Sequence, residues 1–195
     1  MAEKTRVLGV CGSLGDNSAT RVSVRTALEA ARADGATTTL VDLRDYDLPP
    51  YRADGTDAGD ATEVRRLVDE ADAVLLGTPV YHGSYASPLK TAIDYCSRNE
   101  FGGLTVGLLA VAGGSFLRSA LAHLQEVCLA LDAWPVSPRV AVPRSGSTVE
   151  ADRIADPDLA ERVRKLGRNL VAYAGVSSYP VIARPTANHR ATSGQ

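Results

Sequence analysis

The stretch that most constrains this chain is Val7–Ala31, VLGVCGSLGDNSATRVSVRTALEAA. An apolar run, Val7–Cys11, stops at Gly12-Ser13, and a polar, glycine-containing segment follows to Thr20. Apolar residues then return as Val24, Leu28 and Ala31, at i, i+4 and i+7, the spacing of one helix face. The order predicted is strand, loop, helix, with Ser18 as the helix N-cap because its hydroxyl can accept from the first free backbone N–H groups. Those N–H groups, together with the helix dipole, suit the loop to a phosphate.

The rest of the chain repeats this alternation. Thr37–Asp42 is a β-branched run and predicts a second strand, followed by an Asp-, Pro-, Gly- and Tyr-rich surface connection over Leu43–Gly59. A helix is expected over Thr62–Ala71 and a buried third strand over Ala73–Leu76. Ser87-Pro88 reads as the cap and first residue of the next helix, which buries Leu89, Ala92, Ile93 and Cys96. Leu104–Val111 is the most apolar strand, Phe116–Leu131 a helix, Val136–Val142 a fifth strand at an edge because of Pro138, and Leu159–Ala174 the last helix. Strands one, three and four are almost wholly apolar, the pattern of a parallel sheet covered on both faces. The expectation is one domain over 1–184 and a mobile tail over 185–195.

In such sheets ligands bind at the carboxyl ends of the strands, where strand order reverses. With order 2-1-3-4-5, three chemically unusual loops converge on one crevice: Gly12–Thr20, Pro79–Ser87 and Ala112–Phe116. The first offers hydroxyls and backbone N–H groups but lacks the lysine pattern of nucleotide triphosphatases. Its glycines, Gly9, Gly12 and Gly15, also miss the Gly-x-Gly-x-x-Gly spacing, which argues against Asp42 as the ribose-binding acid of a dinucleotide fold. The second carries Tyr81 and His82, and a flat heteroaromatic ring can lie against it. The third, Gly113-Gly114, lets backbone approach a ligand closely.

Net charge is −2 and the pI about 5.9, which gives no footprint for nucleic acid or an anionic membrane. No apolar run is long enough to span a bilayer, and the N-terminus carries no apolar signal region. Three widely spaced cysteines, Cys11, Cys96 and Cys128, without Cys-x-x-Cys, indicate neither a disulfide framework nor a metal site, and fit a reducing cytoplasm.

Three groups of residues resemble motifs of the NADPH-dependent FMN reductase family over most of 5–174. They are Gly12-Ser13 followed by Ser18, Thr20 and Arg21; Pro79-Val80-Tyr81 with Ser84, then Leu89-Lys90 and Ile93-Asp94; and Gly113-Gly114. The resemblance implies a flavodoxin-like α/β fold and bound FMN. It places the FMN phosphate on Ser13, Ser18, Ala19 and Thr20. Pro79, Val80, Tyr81 and His82 then edge the ring and ribityl chain, and Gly113, Gly114, Ser115 and Phe116 close over them. It further implies NADPH or NADH as electron donor, a small-molecule acceptor such as a flavin, quinone or azo compound, and a homodimer or homotetramer. No side-chain acid or base is demanded, since the cofactor carries the chemistry. Many relatives have an arginine two residues after the Gly-Ser pair; Gly15 stands there in this chain. The phosphate charge then falls to backbone N–H groups, hydroxyls and Arg21, which leaves both tightly bound and exchangeable FMN open. The alternative from another class is a non-enzymatic FMN electron carrier of flavodoxin type, for which a charge of −2 is mild, since such carriers dock on basic partners through acidic surfaces.

Overall fold

A computed structural model describes residues 3–55, 57–114 and 117–175. Ser115, Phe116 and the 185–195 tail lie outside the described residues. Four parallel strands form the centre of the sheet: β1 (Arg6–Cys11), β2 (Thr37–Asp42), β3 (Ala73–Tyr81) and β5 (Thr105–Val111). A two-residue strand β4 (Ser84–Tyr85) folds back antiparallel on β3, and two short strands, β6 (Trp134–Pro135) and β7 (Val140–Val142), both pair parallel with the outer side of β5. The order is β2-β1-β3-β5-β6, with β7 also on β5. That is the expected 2-1-3-4-5 arrangement with a hairpin added and the fifth strand divided. The division falls at Val136–Arg139, where Pro138 has no N–H for the ladder; the edge position expected from that proline is observed.

Side chains alternate across the strands, so each central strand feeds two cores. On one face Leu8, Val10, Val74, Leu76, Val106 and Leu108 pack under the helices α2 (Ala61–Asp69), α3 (Ser87–Asp94) and α5 (Arg118–Ala130). On the other, Val7, Leu75, Leu109 and Val111 pack under α1 (Ala19–Ala33) and α7 (Pro157–Tyr173). Short helices α4 (Arg98–Phe101) and α6 (Ser145–Thr148) lie in the connections before and after the outer strands. Burial on both faces is why β1, β3 and β5 read as apolar runs, while β2, half-exposed over its first residues, carries threonines.

Two local expectations are corrected. Ser87 is the first residue of α3 and Ala86 its cap, with no side-chain cap bond; the Ala86 N–H donates to the buried Thr78 Oγ1 at 2.9 Å, which places the cap residue on β3 instead. The Pro79–Ser87 segment is not an open loop either. β3 runs on through Pro79, which pairs with Val111, and turns back at His82-Gly83. Both turn residues have positive φ, 51° and 78°, as the tightest right-twisting hairpin requires.

Candidate functional site

Register brings the three turns to one edge. Cys11 pairs with Asp42 on one side and Gly77 on the other, and Pro79 pairs with Val111. The chain therefore leaves β1, β3 and β5 at the same carboxyl end of the sheet. Gly12 starts the first turn flush against its neighbours. Its N–H donates to the Gly77 carbonyl at 2.8 Å, and a Cβ there would lie 2.8 Å from Leu89 Cβ. Only glycine lets the loop begin this close to α3.

Ser13, Ser18 and Thr20 are buried, and Ala19 is half-buried as the first residue of α1. Ser18 caps the helix as expected, its Oγ accepting from the Arg21 N–H at 3.1 Å. The Ser18 hydroxyl proton stays available to donate. The carbonyls four residues before Ala19 and Thr20 belong to Gly15 and Asp16, and the Arg21 guanidinium holds both, at 3.1 and 3.0 Å. Ala19 and Thr20 are the first residues of α1, where backbone N–H groups have no carbonyl partner within the helix and can serve a ligand.

Arg21 is not the phosphate ligand that the resemblance suggested. Its side chain is 8% exposed and forms a buried pair with Asp42, Nε to Oδ2, with a second bond from Nη2 to Oδ1 at 3.4 Å. Asp42 also accepts from the Arg44 guanidinium at 3.1 Å and the Arg44 N–H at 3.3 Å. Asp42 is therefore the anchor of an arginine clamp, not a ribose-binding acid. Burial alone would raise its carboxyl, but the hydrogen bonds from Arg21 and Arg44 more than offset this and hold it below its ordinary value. A depressed carboxylate adds stability above its unfolded value and loses it as pH falls through the folded one. The clamp's contribution should therefore persist on acidification down to about 3.8 and disappear progressively below it. Urea titrations at stepped pH would check this, since Asp42→Asn should flatten that limb of the curve.

The second turn projects from the sheet. Pro79 is buried, Val80 half-buried, and Tyr81 is 60% exposed with His82 exposed beside it. Helix α5 braces the tip: Ser119 Oγ donates to the Gly83 carbonyl at 2.5 Å, and Ser84 Oγ lies 3.2 Å from His123 Nδ1. In the third turn a Cβ on Gly113 or Gly114 would meet none of the described residues within 4 Å. Two backbone bonds fix this turn to the segment after β7: the Arg144 N–H reaches the Gly114 carbonyl at 3.3 Å, and the Ser145 N–H the Ala112 carbonyl at 3.0 Å. A cleft of about 750 Å³ runs from Asp16–Ala19 along α1 to Ser145, Gly146 and Asp152.

Ser13, Ser18, Ala19, Thr20, Pro79, Val80, Tyr81, His82, Gly113 and Gly114 thus share one rim. Sequence reasoning missed Arg44, Ser119 and His123, whose roles depend on partners distant along the chain. The site offers hydroxyls and N–H groups for a dianion, and an exposed ring with open glycine backbone for a flat heterocycle. It offers no reactive thiol. Burial raises the Cys11 thiol and pushes those of Cys96 and Cys128 up to about 12. Among the described residues no cluster of His, Cys, Asp and Glu could hold a metal ion.

The sequence profile of the NADPH-dependent FMN reductase family matches residues 5–146. An NAD(P)H-dependent FMN reductase of Pseudomonas aeruginosa is 29% identical over 174 residues, covering 85% of this chain and 92% of that protein. An FMN-dependent NADPH-azoreductase of Staphylococcus aureus is 26% identical over 179 residues, covering 87% and 95%. Among solved structures, an NADH:FMN oxidoreductase in its apo form superposes with a TM-score of 0.74 at 22% identity, over 91% of this chain and 92% of that one. A flavoenzyme NAD(P)H:(acceptor) oxidoreductase from Paracoccus denitrificans gives 0.71 at 23%, over 88% and 97%. These two structural likenesses concern the fold.

Proposed function

The chain belongs to the NADPH-dependent FMN reductase family, and on that premise we propose that it is an FMN-dependent NAD(P)H oxidoreductase whose flavin lies across the carboxyl ends of β1, β3 and β5. The observation that carries the placement is the convergence of the three turns on one rim, with hydroxyl and N–H donors at one end and open glycine backbone at the other. When bound, FMN supplies the centre that takes hydride from the reduced nicotinamide and passes it to the acceptor. Ser13, Ser18 and Thr20 hydroxyls with the Ala19 and Thr20 N–H groups hold its phosphate. Pro79–His82 edge the ring, and Gly113 and Gly114 let backbone come close to it. The resemblance adds Ser115 and Phe116, which follow Gly114 in sequence. The braced hairpin fixes the height of the Tyr81 ring, so that flat donors and acceptors take turns on one exposed face.

The acceptors proposed are flavins, quinones or azo compounds, in keeping with the reductase and azoreductase relatives. Leu14 and Tyr81, 54% and 60% exposed, stand at this rim as apolar groups that a second copy of the chain would cover, and a homodimer is part of the proposal. Sedimentation of the FMN-loaded protein checks it. No helix among the described residues is long and apolar enough to cross a membrane, and three free, buried cysteines suit a cytoplasmic setting. Steady-state assays decide the activity. With FMN bound, NADPH or NADH should be oxidised in the presence of a quinone or azo dye many-fold faster than by free FMN. A carrier of flavodoxin type would give no such acceleration with either nucleotide.

A further inference from the structure

Resting on that reading of the first turn, we propose that Arg44 supplies the positive charge that the phosphate loop lacks, and that the FMN phosphate takes the Arg44 guanidinium from the Asp16 carboxylate. Gly12–Thr20 contains one charged residue, and it is the wrong sign: Asp16. Arg21 cannot compensate, because it is buried against Asp42 and engaged with the Gly15 and Asp16 carbonyls. Arg44 is differently placed. Its Nε and Nη2 rest on Asp42, at 3.3 and 3.1 Å, which fixes the guanidinium beside the loop. Its Nη1 is left to reach Asp16 Oδ1 at 3.2 Å.

The two partners differ in how easily they move. The Arg44 side chain is 30% exposed and held on one side; the Asp16 side chain is 98% exposed. An ion pair with one fully solvated member is weak and easily exchanged. A phosphate has more charge and three acceptor oxygens, and guanidinium binds it with strong charge-assisted bonds. Asp16 is then a placeholder on Arg44 and a like charge near the incoming dianion. The arrangement accounts for a phosphate loop that carries no cation of its own and whose one charged residue, Asp16, is acidic.

The test uses the full chain freed of flavin, titrated with FMN and separately with riboflavin, which lacks the phosphate, by quenching of flavin fluorescence. Arg44→Gln should weaken FMN binding about tenfold, and Asp16→Asn should tighten it severalfold, while riboflavin binding stays the same in both. Asp16→Asn only neutralises an exposed side chain of the same shape, so it keeps the proposal testable should Arg44→Gln fold poorly. Unchanged or weaker FMN binding by Asp16→Asn would overturn the proposal, as would an Arg44→Gln loss shared equally by riboflavin. If the unmodified chain itself binds no FMN, the reading of the loop fails first and the proposal with it.

Discussion

Asp42→Ala is expected to cost about 3–5 kcal/mol of stability, because it strands the Arg21 guanidinium in a buried position. At this chain length that corresponds to a fall in Tm of roughly 10 °C or more. Attraction between Arg21 and Asp42 does not have to be large for this to hold. The cost comes from the charge left behind, which has the Gly15 and Asp16 carbonyls but no counter-ion. The exposed pair Arg52–Asp54, 76% and 73% exposed, is the control: Asp54→Ala should be near neutral. FMN affinity should fall further than stability alone explains. Without Asp42, Arg21, which ties down the Gly15 and Asp16 carbonyls, and Arg44 both lose the carboxylate that holds them beside the loop. Thermal denaturation with flavin titration separates the two effects.

Gly167→Ala is expected to be comparably damaging, about 3 kcal/mol or more, although alanine is the better helix former by about 1 kcal/mol. Gly167 lies in α7 where that helix meets α1. An added Cβ would sit 2.0 Å from the Ala27 carbonyl oxygen and 2.8 Å from its carbon. These are backbone atoms in the middle of a helix and cannot step aside. The helices must separate, loosening Val24 and Leu28 from Leu166 and Leu170 and tilting the helix whose first turn forms the phosphate loop. Gly114→Ala gives the contrast: a Cβ there meets none of the described residues within 4 Å and should leave Tm almost unchanged. Melting curves of the two variants would show whether close helix approach, rather than glycine itself, sets the cost.

What could be read in the sequence was local or periodic. The Val7–Ala31 unit was legible because an apolar run, a cap residue and a helical stripe lie within one short stretch, and Ser18 acts on a neighbour three residues away. Burial on both faces writes β1, β3 and β5 as apolar runs, and from these the sheet and its carboxyl rim follow. The clamp was not legible. Arg21 looked like a phosphate ligand and Asp42 like the end of a strand, and only the fold pairs them across 21 residues. The hairpin brace was hidden for the same reason, since Ser119 and His123 reach Gly83 and Ser84 from 36 and 39 residues away. Pro79 misled in the other direction. A proline inside a run reads as an end, yet β3 continues past it because the parallel register with β5 and the turn at His82-Gly83 hold the strand.

The most direct measurement is anaerobic mixing of the FMN-loaded protein with NADPH, and in a second experiment with NADH, while the flavin absorbance is followed. A flavin clasped at this rim with one face open to the donor should lose its yellow colour rapidly with at least one nucleotide and regain it when a quinone is added. Protein that demonstrably holds FMN and stays yellow with both nucleotides would contradict the account.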